Sequence, residues 1–305
     1  MHFPTLLSTA FAAVAAAAAV SPRYPTPPIR ARDNTTYVGP ENGNLVIVGG
    51  NLQSESIWQR IIDLAGGPDA PFVVIPTAGG DPTYDQNFSS AVTLRDLGAT
   101  NVTVVHTYDP AVADTDEFIA PILAAKGLFF GGGRQWRLVD AYAGTKTEKA
   151  FQSILDRGGV ISGSSAGASI QASFLARGDT ATNEVIIGDH TVGFGYLKNA
   201  AVDQHILVRN RHFDLLNVIK AYPGILGIGI NEDTAVVVNK NDAEIIGSSF
   251  AAFYDGTFWS REGEDLNELP PPESTFYFLQ AGDKYDLGQR KVVAAAATES
   301  LKEEL

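Results

Sequence analysis

The chain has 305 residues, no cysteine and a single methionine. Without thiols there are no disulfides, no thiol nucleophile and no Cys-ligated metal site. An exported chain of this kind must be held by its hydrophobic core, and roughly 260 mature residues are enough to build one in a single domain. Positive charge is scarce as well. Against 35 Asp and Glu stand 22 Lys and Arg, for a net charge of −13 and a pI near 4.7. Nucleic acid and anionic membrane surfaces both need a basic face, so neither is expected as a partner. Beyond the first 20 residues no run is long and apolar enough to cross a bilayer. The phosphate-loop pattern G-x-x-x-x-G-K-[ST] is missing, and the Gly131-Gly132-Gly133 stretch does not follow the first strand as a dinucleotide fingerprint would. No internal repeat is present.

The N-terminal 43 residues differ from the rest. Met1 to Thr5 lead into Leu6 to Val20, an uncharged and alanine-dominated run. Residues 1–20 are therefore expected to be a secretory signal peptide cleaved near Ala17-Ala18-Ala19, although no Lys or Arg precedes the apolar run. Pro22, Pro25, Pro27, Pro28 and Pro40 mark residues 21–43 as an extended leader without a core of its own. Residues 44–305 are then the folded domain. Three acceptor sequences fit a glycosylated extracellular protein: Asn34-Thr35-Thr36, Asn87-Phe88-Ser89 and Asn101-Val102-Thr103.

Within the domain, apolar strand-like runs alternate with amphipathic helices. The strands are Asn44 to Val48, Pro71 to Pro76, Val102 to His106, Lys126 to Phe130 and Val160 to Ser162. This alternation predicts an α/β fold, a mostly parallel sheet with helices on both faces. One helix is delimited by a Thr145/Glu148 capping box and by Gly158-Gly159. Another carries Ile57, Trp58, Ile61, Ile62 and Leu64 and stops at Gly66-Gly67. Past residue 225, shorter strands at Ile228 to Ile230, Ala235 to Val238, Ile245-Ile246 and Phe276 to Leu279, some antiparallel, complete the domain.

Gly163-Ser164-Ser165-Ala166-Gly167 is the stretch richest in chemistry. It joins the strand at Val160 to a predicted helix over Ala166 to Ala176, with Ile170, Phe174 and Leu175 on one face. A serine at such a turn projects at a helix N-terminus, with glycines where a Cβ has no room. Ser165 is thus a candidate nucleophile, with the Ala166 amide and an amide of the Gly131 to Gly133 loop as oxyanion donors. His205 is the best placed histidine to activate it, since it follows a strand and precedes a helical stretch with Leu215, Leu216 and Ile219. No histidine occurs in the last 93 residues, which argues against an α/β-hydrolase order of catalytic groups.

Phe129 to Gln135, Gly163 to Ala168 and Asp203 to Arg211 resemble the signature blocks of the cyanophycinase and aspartyl dipeptidase (dipeptidase E) family of serine peptidases. Further similarity runs through Leu45 to Gly50, Pro76 to Ala78, Gly229 to Ala235 and Gly282-Asp283. The resemblance implies a single α/β domain of the class I glutamine amidotransferase type. It implies Ser165 as nucleophile, His205 as general base, and the Gly133 and Ala166 amides as oxyanion donors. Gln135, Asp203, Gln204, Arg209 and Arg211 match positions lining the family's substrate pocket. Asp179 is the first candidate for the third member of a triad, Glu184 the second, and Asp189 is also available. No metal or cofactor is implied. Two departures stand out: Arg134 replaces the aspartate of Gly-Gly-Asp-Gln, and Asp214 replaces the third arginine of the histidine block.

The function expected is a secreted serine exopeptidase that cleaves peptide or isopeptide bonds in small or polymeric aspartyl-type substrates through an acyl-enzyme. A catalytically inactive binding protein of the same fold, or an amidohydrolase on amino-acid amides, are the alternatives. A homodimer remains open.

Overall fold

The computed structural model describes residues 37–256 and 277–293. The signal-peptide expectation, residues 21–36 of the leader and Asn34 lie outside the described residues. The elements follow the alternation in the sequence. They are β1 (Asn44–Val48), α1 (Glu55–Ala65), β2 (Phe72–Ile75), α2 (Ser89–Asp96), β3 (Val102–Val104), α3 (Pro110–Ala113), α4 (Asp116–Ala124), β4 (Gly127–Phe130), α5 (Trp136–Tyr142), α6 (Lys146–Asp156), β5 (Val160–Ser164) and the single turn α7 (Ala166–Ser169). Then come β6 (Ala172–Gly178), β7 (His190–Val192), β8 (Leu197–Gln204), α8 (Leu215–Ala221), β9 (Leu226–Ile230), β10 (Thr234–Asn239), β11 (Asp242–Gly247), β12 (Phe250–Asp255), β13 (Tyr277–Gln280), β14 (Lys284–Asp286) and β15 (Lys291–Val293).

The strands form two sheets where one was expected. The first runs β15-β14-β11-β10-β1-β5-β4-β2-β3, and the second β13-β12-β9-β8-β6-β7. Among the described residues, parallel pairing is confined to β1-β5-β4-β2-β3 and to β6-β8-β9; the flanks are antiparallel hairpins and returns. Side chains alternate across β1. Leu45 and Ile47 join a core with α4, α5 and α6 that also takes in Leu197, Ile228 and Phe253 of the second sheet. Val46 and Val48 face α1 and α2 through Ile57, Trp58, Ile61 and Leu94. The first sheet is therefore covered on both faces, as near-continuous apolar strands require.

Two local expectations are corrected. The helix predicted over Ala166 to Ala176 ends at Ser169, and the chain continues as β6, buried along its whole length. A short apolar run buried on both faces carries no period, so helix and strand look alike in sequence. Thr145 occupies the N-cap position of α6 but makes no side-chain capping bond: its hydroxyl donates to the Tyr142 carbonyl at 2.7 Å and the Glu148 carboxylate accepts the Gly144 amide at 2.7 Å, so no reciprocal box forms. The last residues of the leader are part of the fold: Gly39 donates to the Lys240 carbonyl and Lys198 to that of Val38. Asn87 and Asn101 are both exposed.

Candidate active site

β5 delivers Ser165 to a sharp turn with φ 58° and ψ −113°, a conformation non-glycine residues rarely adopt. Its amide donates to the Val48 carbonyl at 3.0 Å, and its carbonyl accepts from Ala168 and Ser169. The two glycines of the motif are required by close approach. A Cβ on Gly163 would overlap the Gly167 carbonyl, and one on Gly167 would overlap the Phe130 carbonyl. Ala166 opens α7, so its amide has no partner within the helix. Gly132 lies against the serine, where a Cβ would come 3.5 Å from Ser165 Cβ. Gly132, next in sequence to the expected oxyanion donor Gly133, thus lies beside the nucleophile.

His205 follows β8 with φ 55°. It is buried, and its Nε2 stands 2.8 Å from Ser165 Oγ. Its Nδ1 stands 2.6 Å from Oε1 of Glu232. An ionised carboxylate only accepts, so Nδ1 carries the proton and Nε2 is left to accept from the serine hydroxyl. Burial pulls the imidazole pKa below its usual value; the Glu232 hydrogen bond opposes this, and the charges of Arg209 and Arg211 add to it. A neutral imidazole is what a base must be.

Glu232 replaces Asp179 and Glu184 as the acid on this histidine. Asp179 Oδ1 accepts the Ala181 and Thr182 amides at 3.0 and 2.7 Å, closing its own turn, and its carbonyl accepts from Arg134 at 2.8 Å. Glu184 is exposed and meets the buried Arg177 only through its carbonyl. Asp189 bonds the Thr180 amide and hydroxyl; the hydroxyl bond leads in pushing its carboxyl down to about 2. Glu232 is near because β8 and β9 are parallel in register, Gln204 opposite Ile230. One residue past β8 is His205, two past β9 is Glu232. Glu232 lies after the histidine in sequence, outside the stretch between Ser165 and His205 where the acid is expected, but within the similar block Gly229 to Ala235.

The residues matched to the substrate pocket divide. Asp203 is fully buried, with both oxygens taken by Arg177 at 2.7 and 2.9 Å. Arg177 also pairs with Asp214. Burial alone would lower the Arg177 pKa, but these carboxylates raise it overall. Arg211 is buried and donates to Gln204 Oε1 at 3.0 Å; burial first, then the nearby Arg177, pull it down to about 10. Gln135 donates to the Ala176 carbonyl at 2.6 Å, and its Oε1 is buried without a partner. Arg209 is exposed on the loop after His205. Asp203 and Arg211 are thus engaged with other protein groups, while Arg209 is exposed, its charge still felt by His205.

A serine, an imidazole and a carboxylate hydrogen-bonded in series on an α/β core define the constellation of a serine-type hydrolase. The chain belongs to peptidase family S51, whose sequence profile matches residues 45–246. It is 29% identical over 255 residues to a cyanophycinase of Geminocystis herdmanii, spanning 80% of this chain and 93% of the relative. A cyanophycinase of Synechococcus elongatus is 29% identical over 264 residues, 82% of this chain and 81% of the relative. The crystal structure of a peptidase from an acI-B1 Actinobacterium shares the fold, with a TM-score of 0.61 at 21% identity over 81% of this chain and 98% of that one. The architecture is that of the class I glutamine amidotransferase-like α/β proteins.

Proposed function

We propose that this chain is a secreted, metal-independent serine exopeptidase acting on peptide or isopeptide bonds of small or polymeric aspartyl-type substrates through an acyl-enzyme. The observation that carries it is the continuous relay from Glu232 through His205 to Ser165. Ser165 Oγ attacks the scissile carbonyl as His205 Nε2 takes its proton. The Gly133 and Ala166 amides hold the developing oxyanion. His205 then protonates the leaving amine, and a water deprotonated by His205 releases the acyl group.

An acidic substrate group needs a cation at the mouth of the site, and Arg209 supplies it. Its charge is close enough to His205 to depress the imidazole pKa, and its side chain is exposed. Arg211 is held by Gln204, and the charge of Asp214 is spent on Arg177, so the charge pattern differs from that expected of a cyanophycin-cleaving relative. Poor turnover of cyanophycin follows. The test is a panel of α- and β-aspartyl dipeptides and neutral dipeptides, assayed with the wild type and Arg209→Ala. The variant is expected to lose on the order of 2 kcal/mol of transition-state stabilisation on acidic substrates and little on neutral ones. Equal losses on both would remove Arg209 from substrate recognition.

A further inference from the structure

Four consecutive residues at the end of β1 meet every member of the relay. The Val48 carbonyl accepts the Ser165 amide at 3.0 Å, the Gly49 carbonyl accepts the His205 amide at 2.8 Å, and the Gly50 carbonyl accepts the amide of Asp233, beside Glu232, at 2.9 Å. Gly50 also seats the imidazole, since a Cβ there would overlap the His205 ring. Asn51 then reaches the carboxylate itself, its Nδ2 donating to Glu232 Oε2 at 3.1 Å while Oε1 faces His205. Gln53 donates to Asn51 Oδ1 at 3.2 Å, which fixes the amide with its NH2 toward Glu232. Asn51 adopts φ 42°, a left-handed conformation that asparagine takes more readily than most residues.

The Glu232 side chain is partly exposed, and a terminal carboxylate torsion is soft. With one oxygen on His205 and the other free, it would rotate toward water. We propose that Asn51 is a positioning residue of the reaction: it holds the second oxygen of Glu232, keeps the first on His205 Nδ1, and completes a template in which residues 48–51 set all three groups in one frame. This rests on the serine-peptidase reading above.

Two variants separate positioning from folding. Asn51→Gly keeps the positive φ without strain and removes only the amide. Its kcat is expected to fall about three- to tenfold, as for a partly exposed hydrogen bond to a charged group, with KM and the melting temperature unchanged. The acid limb of its pH profile moves down, because the imidazolium loses part of its carboxylate partner. Asn51→Asp keeps a residue suited to the left-handed region and adds a negative charge, so its acid limb moves up. Wild-type kcat and an unmoved limb in Asn51→Gly would overturn the proposal, as would a loss of kcat that merely tracks a lowered melting temperature. Ser165→Ala is assayed in parallel. Retained turnover there would bring down the underlying relay and the proposal with it, whereas a dead Ser165→Ala beside an unaffected Asn51→Gly would overturn the proposal alone.

Discussion

Glu232→Gln is the most demanding perturbation of the relay, because it changes chemistry and hardly changes shape. The carboxylate now accepts from His205 Nδ1 at 2.6 Å on one oxygen and from Asn51 Nδ2 at 3.1 Å on the other. An amide has one oxygen and one NH2 to offer these two donors. With the oxygen toward Asn51, the NH2 faces Nδ1, the imidazole proton moves to Nε2, and Nε2 then points a hydrogen at Ser165 Oγ and accepts nothing. With the oxygen toward His205, the tautomer is kept, but two NH2 groups face each other and the imidazolium loses its counter-charge. Only the first arrangement removes the base. The equivalent exchange in a serine-protease triad costs about 10⁴ in kcat through the wrong tautomer. A loss on the order of 10³ to 10⁴ is therefore expected here, about 4 to 5.5 kcal/mol at 1.36 kcal/mol per decade. The assay is kcat and kcat/KM on a cleavable aspartyl dipeptide, with circular dichroism to verify folding. Asp179→Ala belongs beside it, and since Asp179 only closes a turn it should change kcat less than about threefold and stability by about 1 kcal/mol. Glu232→Gln within tenfold of wild type, or Asp179→Ala losing a thousandfold, would refute the assignment of the acid.

The pH profile follows from the imidazole. Burial, with help from Arg209 and Arg211, holds the His205 pKa below its usual 6.5. Activity needs the neutral ring, so kcat/KM should rise with pH through a value under 6.5 and then level; Arg209→Ala removes one depressing charge and should move that limb upward, and a limb that stays put would separate Arg209 from the site. The Arg177 network should be structural: Arg177→Met leaves Asp203 buried without its counter-charge and is expected to cost about 3–5 kcal/mol in denaturant unfolding. An unchanged midpoint would refute a structural role for the pair.

Much of the architecture was legible because the relevant patterns have a period or a punctuation. The apolar runs from Asn44 to Ser162 fall on β1 to β5 within a residue or two. The Gly66-Gly67 stop is realised as a left-handed cap whose amides return to Asp63 and Ile62. The serine turn could be read because Gly163 and Gly167 punctuate it, each standing where a Cβ would overlap a neighbouring carbonyl. What could not be read depends on pairing between distant segments. β6 is buried on both faces and so shows no period of two, and nothing in its local pattern distinguished it from a helix continuing Ala166. Glu232 becomes a partner of His205 only when β9 aligns beside β8, a registration set by the second sheet and invisible in local sequence. The burial of Asp203 and Arg211 likewise depends on Arg177 and Asp214, which no motif links.

The central claim is that Ser165, activated by His205 and Glu232, is a nucleophile. Labelling with a fluorophosphonate followed by peptide mass spectrometry tests it most directly, since covalent capture requires an activated hydroxyl. The account predicts a single adduct on Ser165, absent in Ser165→Ala and strongly reduced in His205→Ala and Glu232→Gln, with Ser164→Ala still labelled. An adduct on Ser164, or no adduct in a preparation that hydrolyses peptide, would contradict it.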